Sequence, residues 1–205
     1  VEAYNGRGQA FLMTNKFKEA YADFDNAIKA GIVTPKLYLN RGKCLVILNK
    51  PAEAIPDLTE SIRLEPRNPE TYYFKAVAES KTGAEDEAIA DYGKAIELNP
   101  KYVEALVNRG LIYAQRKNYE AAIADYTAAL AADPKVVIAL NNRAAAHMSL
   151  GQYDKSIEDL TRAIQLQPNY ARAYDTRSRV YQLMGQPDKA AADAAKAKEL
   201  MGGGK

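Results

Sequence analysis

The sequence repeats itself every 34 residues, and this period constrains the fold more than any other feature. An aspartate recurs with this period, at Asp23, Asp57, Asp91, Asp125, Asp159 and Asp193. A basic residue does the same, at Arg7, Arg41, Lys75, Arg109, Arg143 and Arg177. Six periods span essentially all of the 205 residues, and a repeat of this length is typical of stacked, solenoid architectures. The chain therefore has no room for a separate catalytic domain.

Each period is predicted to form two helices. Apolar residues at helical spacing place those of the first period at about residues 2–14 and 18–30. The break between the two helices falls at Asn15, Asn49, Gly83, Lys117, Gly151 and Gly185. Glycine and asparagine suit the left-handed residue that commonly ends a helix. Proline stops the second helix in four periods, at Pro66, Pro100, Pro134 and Pro168. In the first period the proline comes three positions late, at Pro35, so we expect an altered turn there.

This pattern resembles the tetratricopeptide repeat (TPR), and the resemblance covers all six periods. The large residue that the family places early in the first helix is Tyr4, Tyr38, Tyr72, Leu106, Leu140 or Tyr174. Its small contact residue is Gly8, Gly42, Ala76, Gly110, Ala144 or Ser178. The resemblance implies an all-α fold, an α-solenoid of antiparallel helix pairs in a right-handed superhelix whose first helices line a concave groove. It implies a single domain over residues 1–205, with repeats at about 1–34, 35–68, 69–102, 103–136, 137–170 and 171–205.

The two ends of the repeat array differ. Ala194 occupies the register, or position within the 34-residue period, where the other copies carry a bulky residue. A small residue there suits a terminal repeat that has no further repeat to pack against. The amino terminus has no comparable cap, so we expect further sequence before Val1.

The repeated charges are predicted to be architectural. A residue that every copy needs is explained most simply by a charge-assisted hydrogen bond between the first and second helices. The alternative is an arginine stripe for nucleic acid, which the aspartates would neutralise. The 28 basic and 26 acidic residues also leave a net charge of only +2. We therefore expect no nucleic-acid partner.

The first-helix residues that vary between copies are candidates for binding a peptide. Residues three and four apart share one face of a helix. On this basis the predicted groove contains Lys36, Asn40, Lys43, Tyr73, Phe74, Val77, Asn108, Leu111, Asn142, Arg172 and Arg179. Its ends are basic and its middle is apolar. That pattern would suit a peptide with a hydrophobic centre and an acidic flank.

Parts of this face have a second interpretation. Asn40, Asn108 and Asn142 share one register, and amides that both donate and accept could hold a peptide backbone, as asparagine ladders do in peptide-binding TPR proteins. The same amides could instead bond neighbouring helices. Tyr73, Phe74 and Val77 would be core residues if the face were rotated by one position.

The carboxylate clamp by which some TPR proteins grip chaperone C-termini is incomplete here. Asn40 fills one clamp slot, but the neighbouring slots hold Asn5, Gln9, Glu70 and Phe74, and the required lysines and arginine are missing. Glu70 would also repel a carboxylate. We do not expect binding of chaperone tails.

No combination of residues predicts catalysis, a cofactor or a metal site. His147 is the only histidine, and other copies fill its register with Phe11, Leu45 or Tyr113, so we expect it to pack in the core. Cys44 is the only cysteine and should be a small buried residue. It cannot form an internal disulfide, which weakly favours the cytoplasm, although a targeting segment could have been removed. No apolar run approaches the roughly 20 residues that a spanning helix needs, so no membrane insertion is expected.

We predict a non-enzymatic protein-interaction module, an adaptor or scaffold that binds a peptide or partner segment in the groove. One alternative is an accessory domain that recruits substrate for a larger enzyme whose catalytic part is missing from this chain. Another is a single-strand RNA binder, which Glu70 and Glu104 disfavour. Self-association through the groove or the uncapped end is also compatible with the pattern.

Overall fold

The computed structural model describes residues 2–202, and over that range it consists of twelve α-helices and the turns between them. The helices are α1 Glu2–Met13, α2 Phe17–Lys29, α3 Pro35–Ile47, α4 Pro51–Leu64, α5 Pro69–Thr82, α6 Glu85–Leu98, α7 Val103–Gln115, α8 Tyr119–Ala132, α9 Val137–Ser149, α10 Tyr153–Leu166, α11 Ala171–Leu183 and α12 Pro187–Gly202. The odd-numbered helices are the first helices of the six repeats, and the even-numbered helices are the second. The prediction of an all-α fold of helix pairs is confirmed.

The residues that the sequence marked as breaks have the expected backbone conformation. The positive φ angles at these breaks are 57° at Asn15, 59° at Asn49, 85° at Gly83, 59° at Lys117, 71° at Gly151 and 69° at Gly185. Lysine has no special tolerance for the left-handed region, so at Lys117 the packing of the flanking helices must impose it. Each of the four predicted proline stops follows the last residue of its helix by two positions.

The turn between the first two repeats is altered, as the late proline predicted. The second helix of this repeat ends at Lys29, one residue earlier in the period than its counterparts. Gly31 then takes a φ of 90°. The Thr34 side chain accepts a hydrogen bond of 3.2 Å from the backbone N–H of Leu37, which caps the helix that begins at Pro35.

The chain divides into two compact units, residues 1–100 and residues 101–205, called here the first and second units. Each unit contains three helix pairs, α1–α6 and α7–α12. Within the first unit α3 contacts both α1 and α5, and within the second unit α9 contacts both α7 and α11. The first helices of successive repeats in a unit are therefore neighbours. The assignment of the whole chain to one domain stays a prediction.

Small residues on the first helices admit large residues from the second helices. A Cβ atom on Gly42 would lie 2.7 Å from Cγ of Leu58, and one on Gly110 would lie 2.8 Å from Cε1 of Tyr126. Leu58 and Tyr126 are both fully buried. Packing of this kind holds these helix pairs together, and it fixes which face of their first helices remains at the surface.

The last helix has the character expected of a terminal repeat. Ala190, Asp193 and Ala197 form its buried side. Ala194, at the register that is bulky elsewhere, is exposed.

Candidate binding surface on the first helices

The repeated charges form a pair between the two helices of every repeat, as predicted. In the fifth repeat Nε and Nη2 of Arg143 donate to the two carboxylate oxygens of Asp159 at 2.8 and 2.7 Å. The same two-bond arrangement joins Arg7 to Asp23, Arg41 to Asp57, Arg109 to Asp125 and Arg177 to Asp193. In the third repeat Lys75 makes a single bond of 2.5 Å to Asp91.

Several of these arginines also reach the second helix of the preceding repeat. Nη1 of Arg41 donates to Asp25 at 2.7 Å, and Nη1 of Arg177 donates to the hydroxyl of Thr161 at 3.2 Å. Side chains that satisfy two helices at once are committed to the scaffold and are not available to a ligand. Pairing also holds the pKa of Asp23 below its usual range, because the Arg7 guanidinium donates to its carboxylate.

The third repeat departs from this arrangement. Lys75 Nζ donates to Glu79 as well as to Asp91, each at 2.5 Å. Glu79 is only 4% exposed, and its second oxygen has no hydrogen-bond partner among the described residues. Burial raises the pKa of Glu79 to about 7. Three other repeats place Phe or Tyr at this register, as at Tyr113, whose ring centroid lies 5.9 Å from the Arg109 guanidinium.

In the first unit, most of the predicted groove residues contact the protein itself. Asn40 is only 5% exposed. Lys43 Nζ donates to Glu70 at 2.6 Å and lies 5.0 Å from the centroid of the Phe74 ring. Phe74 and Val77 pack against a buried cluster of this unit. This packing corresponds to the core interpretation that the sequence left open for the two residues.

The remaining first-unit candidates are Tyr73 and Lys36. Tyr73 is half-buried and meets the Phe74 ring edge-on, with the centroids 5.2 Å apart. Lys36 is exposed at the start of α3.

In the second unit, four of the five predicted residues border open hollows. Leu111 on α7 and Asn142 on α9 line the smaller one, of about 120 Å³, which we call the tyrosine hollow. Its complete lining is Leu111, Ala114, Tyr119, Tyr126, Asn142, Ala145, Ala146 and Ser149. Leu111 is 43% exposed at its edge. Asn108, also on α7, is half-buried.

A larger hollow, of about 680 Å³, lies along α11 and is called here the arginine hollow. Its lining is Ile138, Tyr170, Ala171, Arg172, Asp175, Arg179 and Met201. Arg179 donates to Asp175 at 2.7 Å, whereas Arg172 is exposed and makes no salt bridge within residues 2–202. Ile138 and Met201 are 46% and 64% exposed and supply apolar surface. The second unit thus presents apolar side chains beside an uncompensated cation.

Sequence reasoning missed several residues of these linings, among them Ile138, Tyr126 and Met201. Ile138 shares the register of Lys36 and Arg172, so the 34-residue period alone could have identified it. Tyr126 was not considered as a surface residue because its register predicts packing in the core. Met201 lies near the end of α12, beyond the register comparison that defined the face.

The isolated reactive side chains are buried. Cys44 is inaccessible, and burial raises the pKa of its thiol to about 11. His147 is 8% exposed, with Nδ1 lying 2.8 Å from Oε1 of Gln152. Both placements agree with the packing roles that the sequence predicted. Residues 2–202 contain no group of His, Cys, Asp and Glu side chains able to hold a metal. No helix in the same range combines the length and hydropathy needed to cross a bilayer.

Solved structures similar to this chain are themselves repeat proteins. MamA from Desulfovibrio magneticus RS-1, residues 41 to the end, is 25% identical with a TM-score of 0.77, and the match covers 83% of this chain and 97% of that one. A tetratricopeptide repeat protein from Parabacteroides merdae is also 25% identical with a TM-score of 0.77, covering 98% of this chain and 84% of the other. YrrB, described as a TPR protein with an unusual peptide-binding site, is 16% identical with a TM-score of 0.73, covering 86% and 91%. At that identity YrrB supports the fold alone.

Comparison of the sequence with curated proteins gives no significant match. The fold and its neighbours support a protein-interaction scaffold in general, and modules of this type are typically non-catalytic. Tetratricopeptide repeat models match residues 39–96, 85–137 and 137–170. The chain belongs to the tetratricopeptide repeat family.

Proposed function

We propose that this protein is an adaptor that binds an extended segment of a partner protein along α7, α9 and α11. The observation that supports this location is the pair of hollows that the second unit leaves open between its first helices. The equivalent side chains of the first unit are largely engaged with one another. Peptide contact by Lys36, Asn40, Lys43, Tyr73, Phe74 and Val77 stays a prediction, and the principal contact is assigned to the second unit.

The chemistry of the surface defines the partner segment. Leu111 and Ile138 are each nearly half exposed. Fully burying an exposed large apolar side chain contributes on the order of 1.5–3 kcal/mol. Covering the exposed part of these two residues contributes less than half of that for each, and it favours a segment with hydrophobic side chains. Arg172 and Arg179 add a cationic end that attracts an acidic residue. The segment would therefore be apolar in its middle and acidic at one end.

A similar fold is recorded with a peptide site. YrrB is described as a TPR protein with an unusual peptide-binding site, but at 16% identity it shares only the fold with this chain. The proposal for this chain depends on its own residues, because Leu111, Ile138 and Arg172 border the hollows here.

Site-specific photo-cross-linking tests the proposal in the native host. A photoreactive amino acid replaces Leu111 or Ile138 in two variants, and it replaces Ala128, an exposed residue of α8, in a control. We expect the same partner to be captured from positions 111 and 138 and not from 128. Adding Arg172→Glu should reduce that capture. Equal capture of the partner from position 128 would contradict the proposal. A yield of cross-linked partner that Arg172→Glu does not change would contradict it too.

A further inference from the structure

An open hollow of about 290 Å³ lies between the first two repeats, and we call it the lysine hollow. Its lining is Lys18 and Tyr21 of α2, Leu45 of α3, Leu48, which follows α3, and Lys50, which precedes α4. Leu45 is only 3% exposed, whereas Tyr21 and Leu48 are half-buried and both lysines are exposed. The lining therefore combines apolar side chains with two cations and contains no acidic residue.

Two of the lining residues differ from what the other repeats place at the same register. Lys18 lies in the first turn of its helix, where an acidic side chain stabilises the helix and a basic one does not. The other copies carry Ala52, Asp86, Glu120, Asp154 and Asp188 at this register. The register of Tyr21 holds isoleucine in four copies, at Ile55, Ile89, Ile123 and Ile157. The repeat scaffold therefore does not account for the lysine or for the tyrosine.

Both lysines are available to an acidic ligand. Lys18 makes no salt bridge within residues 2–202. Lys50 Nζ donates to the two carboxylate oxygens of Glu53 at 3.0 and 3.2 Å, but both side chains are about half exposed. An exposed pair of this kind contributes only about 0–1 kcal/mol. Because an ammonium group has three donors, Lys50 can donate to a second carboxylate as well.

The counterpart of this hollow in the second unit has a different lining. It lies between the fourth and fifth repeats, and it places Ile123 and His147 at the registers of Tyr21 and Leu45. Its charged residues are two of each sign, namely Arg143, Lys155, Glu158 and Asp159. The lysine hollow contains cations alone. Its charge therefore favours an acidic ligand, which the counterpart does not.

We propose that the lysine hollow is a docking surface for a protein segment in which a bulky aliphatic side chain is flanked by acidic residues. The aliphatic side chain covers Leu45 and Leu48, and the carboxylates face Lys18 and Lys50. A basic segment would bring like charges together, and a segment without a bulky apolar side chain would leave the leucines uncovered. The surface is formed by elements of the first unit alone, so the inference goes beyond the proposed function and does not depend on it.

Selection from a displayed library of random peptides tests the docking surface, with the full chain as bait. Lys18→Glu and Leu48→Thr alter the hollow, and other repeats already carry these residues at the same registers, as at Glu120 and Thr82. Lys36→Glu is the matched control, because Lys36 is also the second residue of a first-unit helix and is not in the lining. Thermal unfolding should show that all three variants remain folded, since each new residue occurs at its register in another repeat.

We expect the unmodified protein to enrich peptides in which leucine, isoleucine or valine is flanked by aspartate or glutamate. Lys18→Glu should reduce the recovery of these peptides about tenfold, because a carboxylate would then meet a like charge. Leu48→Thr should reduce it by a smaller factor, and Lys36→Glu should leave it unchanged. Failure to enrich such peptides, full recovery with Lys18→Glu, or an equal loss with Lys36→Glu would each overturn the docking surface.

A further bait, Leu111→Ser combined with Arg172→Glu, separates this inference from the proposed function. Peptides of the lysine hollow should be lost by Lys18→Glu and retained by this double variant. If the double variant loses every acidic peptide and Lys18→Glu loses none, the docking surface fails and the proposed function stands. If Lys18→Glu loses them and the double variant loses none, the docking surface is supported and the proposed function fails.

Discussion

The two units use the same repeat but treat the surface of their first helices differently. In the first unit the Lys43 ammonium group donates to Glu70 and lies over the Phe74 ring, so both the charge and the ring have partners within the protein. In the second unit the register of Lys43 carries Leu111, Ala145 and Arg179, and open space remains beside them. A shared scaffold therefore does not define a shared surface. Whether the side chain at a given register is covered or remains open to a ligand depends on which residue the neighbouring repeat places opposite it.

The units also differ in how uniformly they are held together. All three repeats of the second unit use an arginine paired with an aspartate through two hydrogen bonds. The first unit replaces this arrangement once, with Lys75 shared between Glu79 and Asp91. The replacement leaves a carboxylate oxygen buried without a partner. The first unit should therefore respond to pH in a way that the second does not.

The largest effect is expected from breaking an arginine–aspartate pair of the second unit. Arg109→Ala leaves Asp125 buried without its partner, which should lower the free energy of unfolding by roughly 3 kcal/mol. Arg7→Ala is the matched change in the first unit, where the arginine side chain is 60% exposed, and its loss should be clearly smaller. Urea denaturation followed by circular dichroism measures both. Equal losses would show that burial does not determine the strength of these pairs.

The next effect concerns pH and the first unit. The pKa of Glu79 rises from 4.5 to about 7 through burial, so between these values the folded protein holds a proton that the unfolded chain has released. The free energy of unfolding should therefore fall as pH rises through this window and level off above it. Glu79→Gln should remove this part of the pH dependence. Glu97→Gln, at an exposed site, should retain it, and identical slopes in the two variants between pH 5 and pH 8 would contradict the assignment.

Charge reversal at one register tests whether the partner contacts the second unit and not the first. Arg172→Glu in the second unit should weaken binding of the captured partner about tenfold, or about 1.4 kcal/mol, because an acidic end would meet a like charge. Lys36→Glu makes the same reversal at the equivalent register of the first unit and should leave the affinity unchanged. Isothermal titration calorimetry measures both. A larger loss from Lys36→Glu would move the contact to the first unit.

The smallest effect is expected from removing the Tyr126 hydroxyl, which has no hydrogen-bond partner of acceptable geometry among the described residues. Tyr126→Phe should leave the free energy of unfolding unchanged or raise it by up to about 1 kcal/mol, because no hydrogen bond is lost. Tyr174→Phe is a control in the same unit whose hydroxyl donates to the carbonyl of Pro168 at 3.2 Å, and it should not be stabilising. Thermal unfolding of the two variants compares them. A loss in Tyr126→Phe greater than in Tyr174→Phe would mean that the Tyr126 hydroxyl has a partner after all.

Features that repeat were predictable from the sequence. The period alone placed a basic residue opposite Asp23 and its five counterparts, and the structure joins all six pairs. The left-handed break residues and the late turn before Pro35 were predictable because local backbone chemistry decides them. These features were predictable because they depend on residues within one repeat or because the same residue recurs in all six repeats.

The binding surface was only partly predictable, because it depends on contacts between different repeats. No sequence pattern pairs Lys43 with Glu70, which lie 27 positions apart on neighbouring first helices. It could not show that Asn40 is buried while Asn142 lines a hollow, although the two share a register. Tyr126 illustrates the same limit. Its register correctly predicts a core ring, but only the packing of α7, α8 and α9 makes that ring part of the lining of a hollow.

Hydroxyl-radical footprinting of the protein with and without its captured partner tests the central claim most directly. Oxidation reports the exposure of individual side chains, and the two units offer matched reporters. Leu111 and Ile138 in the second unit are 43% and 46% exposed, and Ile47 in the first unit is 45% exposed. We predict that the partner protects Leu111 and Ile138 and leaves Ile47 unchanged. Protection of Ile47 with Leu111 and Ile138 still oxidised would contradict the assignment of the binding surface to the second unit.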